Sequence, residues 1–152
     1  MTPTILNHKA RRDFFITETF EAGIELKGTE VKSLRHARAS IDDAFARVER
    51  AQVWLYNAHI QPYEFGNRHN PDPIRPRRLL LHKREINRLA GLLNAKGMAL
   101  VPLKIYFTKS FAKVLLGVGK GKSVVDKRET LKRKTAEREV QRALRDSRKK
   151  DG

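Results

Sequence analysis

The sequence predicts a mainly β fold with short helices, in which an antiparallel sheet closes into a barrel and a basic C-terminal tail follows. Three observations point there. Runs rich in Phe, Ile, Val and Thr recur between Asp13 and Val118, two short segments in that span carry helical apolar spacing, and large apolar residues become sparse beyond Gly119. A chain of 152 residues with 39 % apolar content can build one modest core and not two. The expected division is therefore a domain over residues 1–119 and a tail over 120–152.

The elements follow in order. Phe14 to Leu26 reads as a strand interrupted at Gly23. Thr29 is expected to cap a short helix, with Glu30 in its first turn and Val31 and Leu34 on one face. Ala44 to Arg50 and Val53 to Ile60 alternate as a hairpin joined at Ala51 and Gln52. Between Ile60 and Leu79 stand Pro62, Pro71, Pro73 and Pro76, which predict a long mobile loop. Ile86, Leu89, Ala90 and Leu93 follow the i, i+3, i+4, i+7 spacing of a second helix, with Gly97 just past its end. Leu100 to Phe107 and Val114 to Val118 form a last strand pair around a turn over Thr108 to Lys113. Five or six short strands of this kind commonly close into a barrel of the oligonucleotide-binding type, because closure removes exposed edges.

From Gly119 onward 13 Lys and Arg stand against 6 acids, with too few apolar side chains for a core. Thr130 to Arg148 consists of good helix formers, so the tail is expected to be disordered when free and helical on a partner.

Charge narrows the function. The chain carries 33 Lys and Arg against 17 Asp and Glu, a net charge of +16, which attracts polyanions, nucleic acid foremost. A membrane partner would require a basic helix with a broad apolar face or a lipidation motif, and neither is read here. With no cysteine, disulfides and thiolate zinc sites are excluded, which suits a reducing compartment. No signal-peptide run follows the basic start at Met1 to Arg12 and no apolar stretch approaches the ~20 residues of a membrane span, so a cytoplasmic location is expected.

Several motifs have both a functional and a blander reading. Gly117 to Ser123 resembles a phosphate-binding loop, but only three residues separate Gly117 from Gly121 and position 116 is Leu116. A flexible hinge carrying two phosphate-directed lysines, Lys120 and Lys122, is the better reading. His8, His36, His59, His69 and His82 lack ligand spacing and no nucleophile has a plausible base, so the expectation is no enzyme, no metal and no cofactor. The run Arg75 to Arg84 encloses three leucines in cationic residues, and Arg75 and Arg77 are read as RNA contacts able to bind phosphate or stack on bases. Lys9, Arg11 and Arg12 read either as a frayed terminus or as an arm on RNA. Glu21, an acid amid positive charge, is by spacing alone a solvent-facing strand residue, although a carboxylate there could accept base N–H donors.

Taken together, Asn7 to Arg11, Phe20 to Gly23, Gly28 to Arg35, Arg78 to Glu85, Gly117 to Lys122 and Asp126 to Arg128 resemble, in order and over nearly the whole chain, the small protein B family, the SsrA-binding proteins of bacterial trans-translation. The resemblance implies a barrel that binds the tRNA-like part of transfer-messenger RNA and escorts it to stalled ribosomes, in company with elongation factor Tu through the shared RNA. It assigns RNA contacts to Asn7, Glu21, Leu80 and His82, reversing the bland reading of Glu21. It places Lys120, Lys122, Asp126, Lys127, Arg128, Lys132 and Arg133 in a segment that enters the decoding centre and empty messenger channel of the small subunit. Arg12 stands where many relatives carry His, and Val125 where they carry an aromatic residue or His.

Overall fold

The computed structural model describes residues 2–63 and 70–122. Among them are nine strands and three helices: β1 (Ile5–Leu6), α1 (Ala10–Asp13), β2 (Phe14–Ile24), α2 (Gly28–Arg35), β3 (Ala39–Ser40), β4 (Phe45–Glu49), β5 (Gln52–Tyr56), β6 (His59–Ile60), β7 (Arg77–Leu80), α3 (Lys83–Leu93), β8 (Met98–Thr108) and β9 (Phe111–Gly121). The fold is mainly β with short helices, as expected. Seven strands form one antiparallel sheet in the order β1-β8-β4-β5-β7-β2-β9, and β9 also pairs with β8 along most of its length. The pairings thus run from β8 through β4, β5, β7, β2 and β9 back to β8.

Strand alternation puts Val53, Leu55, Leu79, Ile105, Val114, Leu116 and Val118 inside, each no more than 2 % exposed. At roughly 1.5–3 kcal/mol for each fully buried large aliphatic side chain, this row supplies much of the driving force. Helix α3 lies against it through Leu89, which is fully buried, and Ile86, Leu92 and Leu93 pack around that anchor. The carboxylate of Glu85 accepts the backbone N–H of His82 at 3.2 Å and caps the helix start.

Several expectations need correcting. Helix α2 is capped at Lys27 and not Thr29: Glu30 accepts the Lys27 N–H at 2.9 Å, so the helix starts at Gly28, two residues after the apolar run ends at Leu26. The β4–β5 hairpin turns at Arg50 and Ala51, both left-handed with φ of 51° and 61°. The expected loop between Ile60 and Leu79 is shorter, because β7 starts at Arg77. The β8–β9 turn is likewise tighter, with Thr108 and Phe111 already paired.

The glycines of the Gly117 to Gly121 run are not a hinge. They lie in β9, where strands close on each other. A Cβ on Gly119 would stand 2.2 Å from the Phe15 carbonyl oxygen, beside the bulge that β2 makes between Ile16 and Glu18. The hydroxyl of Thr17 turns in at that bulge and donates to the Val118 carbonyl at 3.1 Å. Strand β9 reaches Gly121, two residues past the expected domain end at Gly119.

Candidate nucleic-acid interface

The sheet register assembles a row across four strands. Gly23 on β2 has Leu80 of β7 on one side and Lys113 of β9 on the other, and Lys113 in turn faces Tyr106 of β8. Leu80 lies over Gly23: a Cβ there would be 3.3 Å from that of Leu80, so a side chain at this position would push Leu80 aside by a few tenths of an ångström. Leu80 is left 46 % exposed. It is the ridge between two adjoining concavities. One, of about 500 Å³, is lined by Glu21, Leu80, Leu81, His82, Glu85 and Lys113. The other, about 270 Å³, continues past Leu80 toward Val31 and Phe111.

At the edge of the larger groove the Tyr106 hydroxyl donates to Glu21 Oε2. Burial of the ring and this hydrogen bond push the Tyr106 phenol up to about 12, so it remains a donor at neutral pH. Lys104 Nζ rests 5.0 Å from the Tyr106 ring centroid. A fixed carboxylate with a free lone-pair face, an exposed apolar ridge and a flanking ammonium can hold an unstacked nucleotide: base edge on Glu21, base face on Leu80, phosphate on Lys113.

Of the residues singled out in the sequence, Glu21, Leu80 and His82 therefore converge from separate segments. Asn7 does not join them. Its side-chain amide donates to the Ile41 and Pro102 carbonyls at 3.0 and 2.8 Å, and its Oδ1 accepts the N–H groups of Lys9 and Ala10 at 3.0 Å each. Every hydrogen-bonding position of the side chain is thus used internally. What it holds is the short helix α1, whose Ala10 is 3 % exposed and packs with Val101 and Leu103. The segment after Asn7 is thereby a built element and not a frayed one. It presents Lys9, paired with Asp43 at 3.0 Å, Arg12, paired with Asp13 at 3.0 Å, and the exposed Arg11.

Arg77 overturns its expected role. It is fully buried, 2.7 Å from Glu30 Oε2, and donates to the Ala58 and Pro73 carbonyls at 2.7 and 3.0 Å. Arg75 closes on the same carboxylate through Nη2 at 2.5 Å and Nε at 3.1 Å. Burial alone would push the Glu30 carboxyl up. The hydrogen bonds from Arg75, the Lys27 N–H and Arg77 outweigh it and hold Glu30 below the usual carboxylate range. Both guanidinium groups fasten α2 to the β6–β7 connection; the buried Arg77 has no atom left to meet a phosphate, whereas Arg75 stays partly exposed.

Lys120 and Lys122 stand half-buried at the end of β9 and just beyond it. Asp126, Lys127, Arg128, Lys132 and Arg133 lie outside the described residues. Sequence reasoning missed Tyr106, Lys113 and Phe111, the last 70 % exposed. The signal for Lys113 was the alternation of β9 continued back through Val114, which the overlong turn assigned to Thr108–Lys113 concealed.

The family model described as "SmpB protein" matches residues 4–146. The "SsrA-binding protein" of Bacillus subtilis (strain 168) is 59 % identical over 143 residues, spanning 94 % of this chain and 92 % of that protein. That of Geobacillus thermodenitrificans (strain NG80-2) is 57 % identical over the same length, again 94 % and 92 % of the two chains. A solved structure described as "tmRNA-SmpB: a journey to the center of the bacterial ribosome" is 53 % identical, with a TM-score of 0.68 over 79 % of this chain and 85 % of that one.

Proposed function

The chain belongs to the SmpB protein family, and from that premise we propose that it binds the tRNA-like part of transfer-messenger RNA and delivers it to stalled ribosomes for trans-translation. The observation that carries this reading is the convergence of Glu21, Leu80 and His82 on one groove beside Lys113. Binding strength comes from the surplus of 16 positive charges, and selectivity from side chains that meet bases. No bond is made or broken, so the protein acts as a non-enzymatic adaptor in the cytoplasm, where ribosomes work.

The circuit of pairings from β8 round to β9 supports a closed barrel of the oligonucleotide-binding type as the RNA-binding body. The remainder, from Lys120 and Lys122 through Asp126, Lys127, Arg128, Lys132 and Arg133, engages the decoding centre and empty messenger channel of the small subunit. Contact with elongation factor Tu arises through the RNA that both hold. A shift assay with labelled transfer-messenger RNA tests the groove: Glu21→Ala should weaken binding although it removes a negative charge from a basic surface. Tighter binding by that variant would overturn the assignment.

A further inference from the structure

A second outward face carries the same chemistry as the groove and has no part in it. On the antiparallel strands β4, β5 and β7, Trp54 stands in register between Arg47 and Arg78. It is half-buried, and Arg47 is exposed, with its guanidinium 5.1 Å from the Phe45 ring centroid. Phe45 in turn stacks on Tyr56 at 5.5 Å between centroids. The Tyr56 hydroxyl reaches back over this face and donates to Glu49 Oε2 at 2.8 Å. Trp54, Tyr56 and Pro76 supply the apolar walls of a concavity of about 550 Å³, and Glu49, Arg50 and Gln52 its polar rim.

The parallel with the groove is close. In both places a strand carboxylate amid cations is fixed by a tyrosine hydroxyl, next to an apolar surface on which a flat ring can lie. The hydrogen bond from Tyr56 uses one lone pair of Glu49 and leaves Oε1 to accept from a ligand. Arg50 is exposed at the tip of the hairpin, in left-handed backbone with φ 51°.

We propose that this concavity is a second nucleobase site, taking one unpaired guanine of an RNA against Trp54, with Glu49 accepting the two adjacent N–H donors of its Watson–Crick edge and Arg50 meeting the neighbouring phosphate. Guanine is the base chosen because it alone presents two parallel donors to a carboxylate, whereas adenine sets an acceptor beside its donor and uracil sets acceptors on both sides of one. Arg47 supplies a further cation beside Trp54, in keeping with a chain of net charge +16, whereas Arg78 on the other side is paired with Glu25 at 2.5 Å. The inference rests on the reading of the protein as an RNA binder, and adds a contact remote from Glu21 in the sheet order, with β7 between β5 and β2.

Trp54 is the only tryptophan in the sequence, so its emission reports on this face alone. The full-length protein is titrated with uridine hexamers carrying one central guanine, one central adenine or neither, following Trp54 fluorescence and, in parallel, binding of labelled transfer-messenger RNA by gel shift. The guanine hexamer should quench Trp54 and bind about tenfold more tightly than the adenine one, the selectivity of one good bidentate base contact. Glu49→Gln, an exposed change with an unaltered melting curve expected, should abolish the preference while leaving weak binding of all three. Equal quenching by all hexamers would overturn the site as a base reader. Unchanged Trp54 emission with intact transfer-messenger-RNA binding would overturn it while leaving the RNA-binding reading in place. Failure of both measurements would remove the two together. Loss of stalled-ribosome tagging in Glu49→Gln without any base preference in the hexamers would assign the face to a protein partner, and would likewise overturn it.

Discussion

The hydroxyl of Tyr106 on β8 donates to the carboxylate of Glu21 on β2, across the intervening strand β9. This contact fixes the direction of a side chain that would otherwise sweep a wide arc from an exposed strand, so the carboxylate is already oriented when a base arrives.

Two measurements follow from it. Because the folded-state value of Tyr106 is raised to about 12, above the ordinary 10.0, its contribution to stability is fully present below about pH 10 and is lost as pH rises toward 12. Glu21→Gln should bring the ultraviolet titration of Tyr106 down, though not fully to 10.0, because burial is the larger cause. The same variant's affinity for transfer-messenger RNA should fall by about 1–3 kcal/mol, the worth of one base contact. An unmoved tyrosine titration would remove the premise.

The clamp of Arg75 and Arg77 on Glu30 makes an acid-sensitive fold. Glu30 is held below its ordinary 4.5, so its contribution is complete above that pH and is lost as pH falls through the folded value. Glu30→Ala strands a fully buried guanidinium and should cost about 3–5 kcal/mol at pH 7. Combining Glu30→Gln with Arg77→Met should recover part of that loss, since no buried charge then lacks its partner. Urea melts at pH 7 and pH 4 measure both effects. Equal destabilisation by the single and double variants would deny the coupling.

How far the sequence reveals this architecture depends on where each element gets its stability. Strands β2, β8 and β9 and helix α3 are legible because their own apolar periodicity decides them, as with Leu89 in its i, i+3 series. Strands β1, β3 and β6 have two residues each and α1 has four, too short for any period to register. Their positions come from distant partners: Asn7 binds Pro102 across 95 positions in sequence. Arg77 misleads for the same reason, because its carboxylate lies 47 residues upstream and a basic run disguises a buried cation as a surface one. Of the groove, Glu21, Leu80 and His82 are legible through family resemblance, whereas Tyr106 and Lys113 need the register to be seen.

Asn7 should act on RNA binding through the fold. Asn7→Ala removes four hydrogen bonds and leaves the Pro102 and Ile41 carbonyls without this donor, at about 1–3 kcal/mol for each one left buried and unpaired. The expected outcome is a lowered melting temperature, with RNA affinity restored when binding is measured well below it. Weak binding by a variant that melts normally would return Asn7 to the interface.

Two glycines should respond oppositely to alanine. Gly91 lies inside α3, and a methyl added there would have nothing within 4 Å, so Gly91→Ala should stabilise by about 0.5–1 kcal/mol through helix propensity. Gly119→Ala drives a methyl to 2.2 Å from the Phe15 carbonyl oxygen and should cost about 3 kcal/mol, the top of the overpacking range. Thermal melts of the pair decide it, and a neutral Gly119→Ala would restore the hinge reading of this run.

The end of β9 sets where a truncation can separate RNA binding from ribosome action. Lys120 and Gly121 pair with Phe15 and Phe14 on one side, and Lys120 with Met98 on the other. A chain ending at Val118 therefore gives up the last rungs of both ladders and should melt lower than one ending at Lys122. The longer truncation keeps the sheet and the groove intact, so its affinity for transfer-messenger RNA should fall only modestly, by the long-range attraction of the deleted charges, and more so at low salt. Tagging of stalled nascent chains in a reconstituted system should nevertheless disappear, as it should when Lys127, Arg128, Lys132 and Arg133 are replaced by alanine in the full chain. The alanine variant matters because it removes charge without shortening the chain, and so separates loss of phosphate contacts from loss of reach. Full tagging by either variant would refute a ribosomal role for the segment, and a parallel collapse of RNA affinity and tagging would make it an arm on transfer-messenger RNA instead.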